Sequence, residues 1–365
     1  MRNWKRLGAE ILESLWPPVA ALALTFLISS AIILAIGENP LAIFALLFRE
    51  GLASVDGFAR VLNDATPLIF TGLSVSYAFR AGLFNIGGEG QLYMGAFFAA
   101  LVPLLLPGLP AILALPLAVL AAATGGAAWG AIPGYLRARF GVHEVINTIM
   151  MNFIALGLTG YLVVHHLKEA GQMIPHTYEI GESYQLHPFA QSKLGLAMGL
   201  DSANPLGPSF LLALLVAVIV FIVFRRSVEG YRLRVSGLNP VAAHYGGIRT
   251  GALTVRAMAV SGALAGLVGV HEVLLYRHRF LDNFSSGLGF LGIAVALMGR
   301  NHPFGVVLAA LLFGFLNTGA LEIDIFTEVP RELVVVMQAL VIVLVLAMSE
   351  SATRRKRRRG KGAVT

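Results

Sequence analysis

The sequence predicts an all-α polytopic membrane protein with about ten transmembrane helices. Three observations predict it. Hydrophobic residues make up 57% of the 365 positions and charged residues only 13%, against about 25% charged in soluble domains. Apolar runs long enough to cross a bilayer, which takes roughly 20 residues, recur along the chain. The basic residues are also unevenly shared between alternate connections, as the positive-inside rule requires. Mean hydropathy is +0.76. The 40 glycines are about 11% of the chain, where about 7% is usual. With no cysteine, disulfides and thiolate metal sites are excluded.

The elements follow in order. A short basic start with Arg2, Lys5 and Arg6 leads into a first span, Pro17–Ile36. That run is long for a signal-peptide core and no small-x-small site follows it, so a retained helix is expected. Residues 38–64 are mixed, with an amphipathic piece at Leu41–Phe48. Further spans fall at 65–82, 86–106, 109–132, 145–166, 206–224, 252–275, 287–299, 303–320 and 331–348. The organisation expected is one membrane domain over 1–365. It comprises an N-terminal region (1–64), a first repeat (65–166), an outer loop (167–205), a basic cytoplasmic loop (225–251), a second repeat (252–348) and a basic tail (349–365). With ten spans both termini share one side. That side collects 20 of the 27 Lys and Arg residues, which predicts that it is the cytoplasm. The run Arg354–Lys361 reads as a topogenic stop and anionic-lipid contact rather than a nucleic-acid arm.

The stretch Ala81–Gln91 places Asn85, Glu89 and Gln91 among four glycines, between two apolar runs. An unpaired polar group in hydrocarbon costs several kcal/mol, so a broken helix facing protein or a hydrated path is expected. Glu89 either lines that path or is a buried hydrogen-bond hub that fixes the break. Gly82–Gly87 and Gly287–Gly292 occupy matching places in two similar stretches. They suggest a repeat of the second to fifth spans in the seventh to tenth, necessarily inverted because an offset of five spans reverses direction.

Catalytic patterns fail. There is no Gly-x-x-x-x-Gly-Lys-Ser/Thr loop. His143-Glu144 and His271-Glu272 open a zincin pattern, but Asn147 and Leu275 stand where the second His belongs. His165, His166 and Glu169 are better read as interfacial packing than as metal ligands. No catalytic or metal-binding residue is therefore expected. Glu144, Thr148 and Asn152 recur every four residues on one helix face, with Asn147 beside them. Such a stripe serves either as interhelical glue or as pathway lining. His271 and Glu272 point about 100° apart, so at least one is expected to form an ion pair to another helix. Asn317 and Gln338 read as glue. In the basic loop, Asn239 can cap a helix opened by Pro240 and closed by Gly246-Gly247. A short helix there would suit docking to a soluble subunit.

Three blocks then resemble the permease subunits of bacterial ABC importers for nucleosides, within the wider group for ribose-type sugars and branched-chain amino acids. They are Phe84–Gln91, His143–Met150 and Gly292–Pro303, and Tyr231–Ile248 is similar to that family's coupling segment. The resemblance implies a translocation subunit of the bacterial cytoplasmic membrane that binds no cofactor itself. ATP and Mg would sit on partner ATPase subunits, with a second permease chain and an external binding lipoprotein completing the assembly. It implies a substrate path at Asn85, Glu89, Gln91, Asn147, Asn152 and His271. Coupling falls to Arg232, Arg234, Gly237, Asn239, Pro240, Ala242, Ala243 and His244, and the outer loop with Arg277 would meet the binding protein. Transport of a sugar or another polar solute, a gradient-driven carrier, and a membrane enzyme or scaffold are the competing readings.

Overall fold

Glycine spacing decides where the helices can touch. The computed structural model describes residues 20–361, with side chains as far as residue 348. The basic N-terminal start, Pro17–Val19 and the tail side chains lie outside the described residues. Fourteen helices are described: α1 Ala20–Ile36, α2 Pro40–Leu52, α3 Val55–Arg80, α4 Gly88–Leu105, α5 Ala111–Phe140, α6 Glu144–Leu162, α7 Lys193–Ala197, α8 Pro208–Arg226, α9 Val228–Leu238, α10 Pro240–Tyr245, α11 Thr250–Gly266, α12 Leu288–Met298, α13 Pro303–Phe326 and α14 Glu332–Lys361. The described residues divide into two units. One runs from Phe58 to Gly314, and the other holds the residues up to Gly57 with those from Phe315.

In the larger unit α5 presents Ala118, Ala122, Gly126, Gly130 and Gly134 to its neighbours, all buried. This four-residue spacing lays small residues along one face, which lets backbones approach closely. At Gly126 a methyl group would lie 2.2 Å from the carbonyl oxygen of Gly262 on α11, and the reverse holds for Gly262. Neither position admits even alanine without backbone movement. α4 packs on both helices, and α6 packs on α4. The pairing of α5 and α11 is therefore fixed by the absence of side chains.

α11 does not stop at Gly266. The chain continues as a wide-turned segment over Val270–Arg277. The five-residue repeat of such a turn brings Arg277 Nε to 3.0 Å from Glu272. The ion pair expected to reach another helix is thus closed within the same segment, because the widened winding supplies a partner at i+5.

The outer loop is folded. Thr177 and Ile180 donate their N–H groups to the carbonyls of Phe280 and His278, at 3.0 and 2.8 Å. Buried Tyr184 donates its hydroxyl to the Leu106 carbonyl at 2.8 Å. Arg279 pairs with Glu169 and Glu179 at 3.5 and 3.3 Å. Away from these, Arg80, Arg225, Arg234 and His302 surround one cavity. Residues assigned to the same side from sequence meet one another in both places.

In the smaller unit Gly37, at φ +96°, turns the chain between α1 and α2. Asn39 caps α2 and Pro40 opens it. The two axes differ by 119°, and Phe26 packs edge-on against Phe44 with centroids 4.9 Å apart. Gln338 on α14 donates to Asn317 on α13 at 2.7 Å, so these two polar residues satisfy each other.

Among the described residues five helical stretches are long and apolar enough to cross a membrane. They are α5, α6 with its extension to Leu167, α8, α11 with its extension to Arg277, and α13; the bent α1–α2 pair makes a sixth. The count of ten also included α3, α4, α12 and α14. Helix α12 is short at 11 residues, and α4 opens on Glu89 and Gln91. Helix α3 begins at Val55, ahead of the expected 65, and takes in Asp56, Arg60 and Asp64.

A buried amide cluster at the α3–α4 break

The break is where expected. Helix α3 ends at Arg80, Gly82 takes φ +74°, and α4 starts at Gly88. Between them the chain lacks helical hydrogen bonds, so its backbone groups need side-chain partners. Asn85, fully buried, supplies several. Its Nδ2 donates to Gln91 Oε1 at 2.9 Å and to Ser261 Oγ at 2.8 Å. Its Oδ1 accepts from Gly87 N at 2.9 Å. Ser261 on α11 passes the chain on to the Ser74 carbonyl of α3 at 2.7 Å.

Helix α6 closes the cluster from another side. Asn152 Nδ2 donates to the Ile86 carbonyl at 3.0 Å, and its Oδ1 accepts from Gly90 N at 2.8 Å. Thr148 Oγ1 accepts from Ile86 N at 3.3 Å. The polar stripe on α6 thus binds the broken backbone, as glue would. Glu144, also on the stripe, pairs with Arg137 at the end of α5.

Glu89 points elsewhere. Its carboxylate accepts from Gly289 N at 2.7 Å and from Gly287 N at 3.3 Å. These N–H groups belong to the start of α12, and Glu89 is also in the first turn of α4. A negative group at two helix N-termini is favoured by both dipoles. Gly289 is required for the approach: a methyl there would lie 2.3 Å from Glu89 N. Gly287, at φ +95°, turns the chain into α12, as Gly82 does before α4. The matched strings diverge beyond that point, because Leu83–Ile86 is irregular while Leu288–Gly292 is already helical.

The structure brings Asn85, Gln91 and Asn152 into one cluster and sets Glu89 beside it on the α12 side. Asn147 stands apart, donating to the Pro133 carbonyl at 3.3 Å. His271, also buried, shares a 3.0 Å hydrogen bond with Ser209 at the start of α8. Ser74 and Ser261 were missed from sequence, since a serine in a small-residue helix carries no signal of its own.

The basic loop folds as two helices. Ser227 caps α9, with Gly230 N donating to its Oγ at 3.0 Å. Asn239 caps α10, accepting from Val241 N and Ala242 N at 3.0 Å each. Arg232, Arg234, Asn239, Pro240, Ala242 and His244 are exposed, whereas Ala243 is fully buried. Leu238 (82%), Val241 (64%) and Tyr245 (87%) are exposed here, along with Val228 and Tyr231 on α9, and the reading of charge alone passed over them. Gly237 lies against the end of α3: a methyl on it would meet the Arg80 carbonyl at 2.5 Å and Gly82 N at 3.0 Å. Helix α9 therefore abuts the break itself.

Comparison with known proteins agrees over most of the chain. Residues 57–346 match the family model described as branched-chain amino acid transport system / permease component. The guanosine ABC transporter permease protein NupP of Bacillus subtilis is 38% identical over 332 residues, 91% of this chain and 92% of the relative. The nucleoside ABC transporter permease protein NupB of Lactococcus lactis is 35% identical, covering 89% of this chain and 88% of the relative. The glucose ABC transporter permease protein TsgB13 of Haloferax volcanii is 35% identical, covering 93% and 87%.

Proposed function

The chain belongs to the branched-chain amino acid transport system / permease component family, and from that premise we propose that it forms the translocation path of an ATP-driven importer for nucleosides. It is a membrane-embedded transport subunit and not an enzyme. The observation that carries the mechanism is the contact of Gly237 with the Arg80–Gly82 backbone. A partner ATPase, holding ATP and Mg, docks on the apolar ridge Leu238, Val241 and Tyr245. Its closure displaces α10 and α9, and Gly237 passes the push to the break. Because Asn85, Gln91 and Ser261 are joined by hydrogen bonds and Asn152 bonds the backbone of the break at Ile86 and Gly90, a shift of the break rearranges the whole cluster. Freed amides offer both donors and acceptors to ribose hydroxyls. Glu89, Asn147 and His271 complete the list of candidate path residues.

On this reading the protein sits in the bacterial cytoplasmic membrane with ten spans, an inverted repeat and both termini inside. A second permease chain pairs with it, and an external binding lipoprotein delivers substrate to the folded outer loop. The glucose permease relative favours a second reading, a sugar as the solute. The test is uptake into vesicles holding the chain with its ATPase and partner permease, using labelled guanosine, uridine, glucose and leucine. ATP-dependent nucleoside accumulation, not competed by glucose, is expected. Glucose accumulation alone would establish the sugar reading. Uptake by the lone chain without ATP would overturn the ATP-driven mechanism in favour of a gradient-driven carrier.

A further inference from the structure

Three arginines line one cavity with no carboxylate among its lining residues. The cavity, of about 250 Å³, is bounded by Arg80, Arg225, Arg234 and His302, with Phe221 and Phe224 as its apolar wall. Arg80 lies over the Phe224 ring at 4.8 Å and Arg225 over the Phe221 ring at 5.6 Å. Stacking holds a guanidinium by its face and leaves its N–H edge for another partner. Among the described residues none of the three arginines has a salt bridge. Arg80 Nε is buried with no hydrogen-bond partner. The one acid of α9, Glu229, is held by Arg232 and Arg256 at 3.6 Å each. His302 is kept below its ordinary value, first by burial and then by the charges of Arg80 and Arg225. A site that is cationic, partly enclosed and unbalanced needs an anion. Arginine forks match phosphate oxygens in geometry as well as charge.

We propose that this cavity binds a phosphate oxyanion, in the arrangement of a phospholipid headgroup or a free phosphate. The apolar wall continues into exposed Phe304, whose ring is 4.8 Å from Phe221. A surface of this kind suits acyl chains, so a lipid of the leaflet on the arginine side fits best. That this is the cytoplasmic leaflet rests on the topology proposed above; the binding itself does not.

The full chain, alone and in its assembled complex, would be placed in phosphatidylcholine nanodiscs containing a minor fraction of phosphatidylglycerol. Retained lipid is then counted by native mass spectrometry. Expected is about one phosphatidylglycerol per chain, with at least a fivefold loss in the Arg80→Gln/Arg234→Gln pair and no change in Arg139→Gln. Arg234→Gln alone, at an exposed position, guards against misfolding of the pair and should still lower retention about twofold. Displacement by millimolar inorganic phosphate, with phosphate binding lost in the same variants, would keep the oxyanion site and make its source soluble. Equal retention in wild type and the variants would overturn the proposal. So would retention that vanishes in the assembled complex, which would give the cavity to a partner's side chain. Transport plays no part in this readout, so failure of the nucleoside reading and failure of the site are distinguishable.

Discussion

The break before α4 and the segment α9–α10 are both glycine-rich polar interruptions, yet they end in opposite states. At the break every polar side chain turns inward and finds a partner, and Asn85, Glu89 and Gln91 are all buried. In α9–α10 polar side chains cap helix ends or face outward, and the apolar residues Leu238, Val241 and Tyr245 are left uncovered. The difference separates two duties. An inward cluster whose bonds close on one another sets the conformation. An outward ridge is built to be covered by something else. The two meet at Gly237.

Substitutions should therefore grade from conformational to interfacial effects. The largest belongs to Glu89. Glu89→Ala leaves the Gly287 and Gly289 N–H groups without an acceptor, at about 1–3 kcal/mol each. Glu89→Gln keeps one acceptor and turns an amide donor toward the other N–H, so it should lose roughly half as much. Thermal unfolding of the purified protein measures both. If Glu89→Gln melts like wild type, the carboxylate is not the staple described. Next comes Gly237→Ala, whose methyl has no room against the Arg80 carbonyl. Overpacking of this kind costs about 1–3 kcal/mol, and ATP-driven uptake should fall further than stability accounts for.

Asn239→Ala removes the cap of α10 and should cost about 1 kcal/mol, with hydrogen exchange rising only over Pro240–Tyr245. Val241→Asp is the smallest on stability, within about 0.5 kcal/mol as for surface sites generally. It should nonetheless weaken co-purification of the ATPase at least fivefold. Unchanged co-purification would move the docking ridge elsewhere and erase the contrast between the two regions.

The sequence carried local geometry well. The cap and start of α10 at Asn239-Pro240 and the turn at Gly82 depend on a few neighbouring residues, and each formed where those residues predicted. Partnerships were another matter. Glu89 bonds Gly289 across 200 positions and Asn85 bonds Ser261 across 176, and no local pattern encodes a pairing over such distances. Hence the sequence left open whether Glu89 was hub or lining, while in the folded chain both of its oxygens accept N–H groups at the start of α12. Gly237 and Ala243 were grouped with the docking residues because they share a segment. Their surroundings separate them: Ala243 is buried, and Gly237, though exposed, lies against the Arg80–Gly82 backbone. That Gly126, Gly130 and Gly134 seat against α11 was not read from the sequence.

The seam between α5 and α11 has a consequence for the medium in which the protein works. Backbone pressed on backbone has nothing to titrate and no charge for salt to screen; it is held by dispersion at short range. Acid, alkali, brine and dilute broth should leave it alike. Sensitivity to surroundings falls instead on ion pairs, such as Arg279 with its two glutamates, and on the arginine-lined cavity. The contact of these two helices can therefore stay the same from one transport cycle to the next while pH and ionic strength outside change widely.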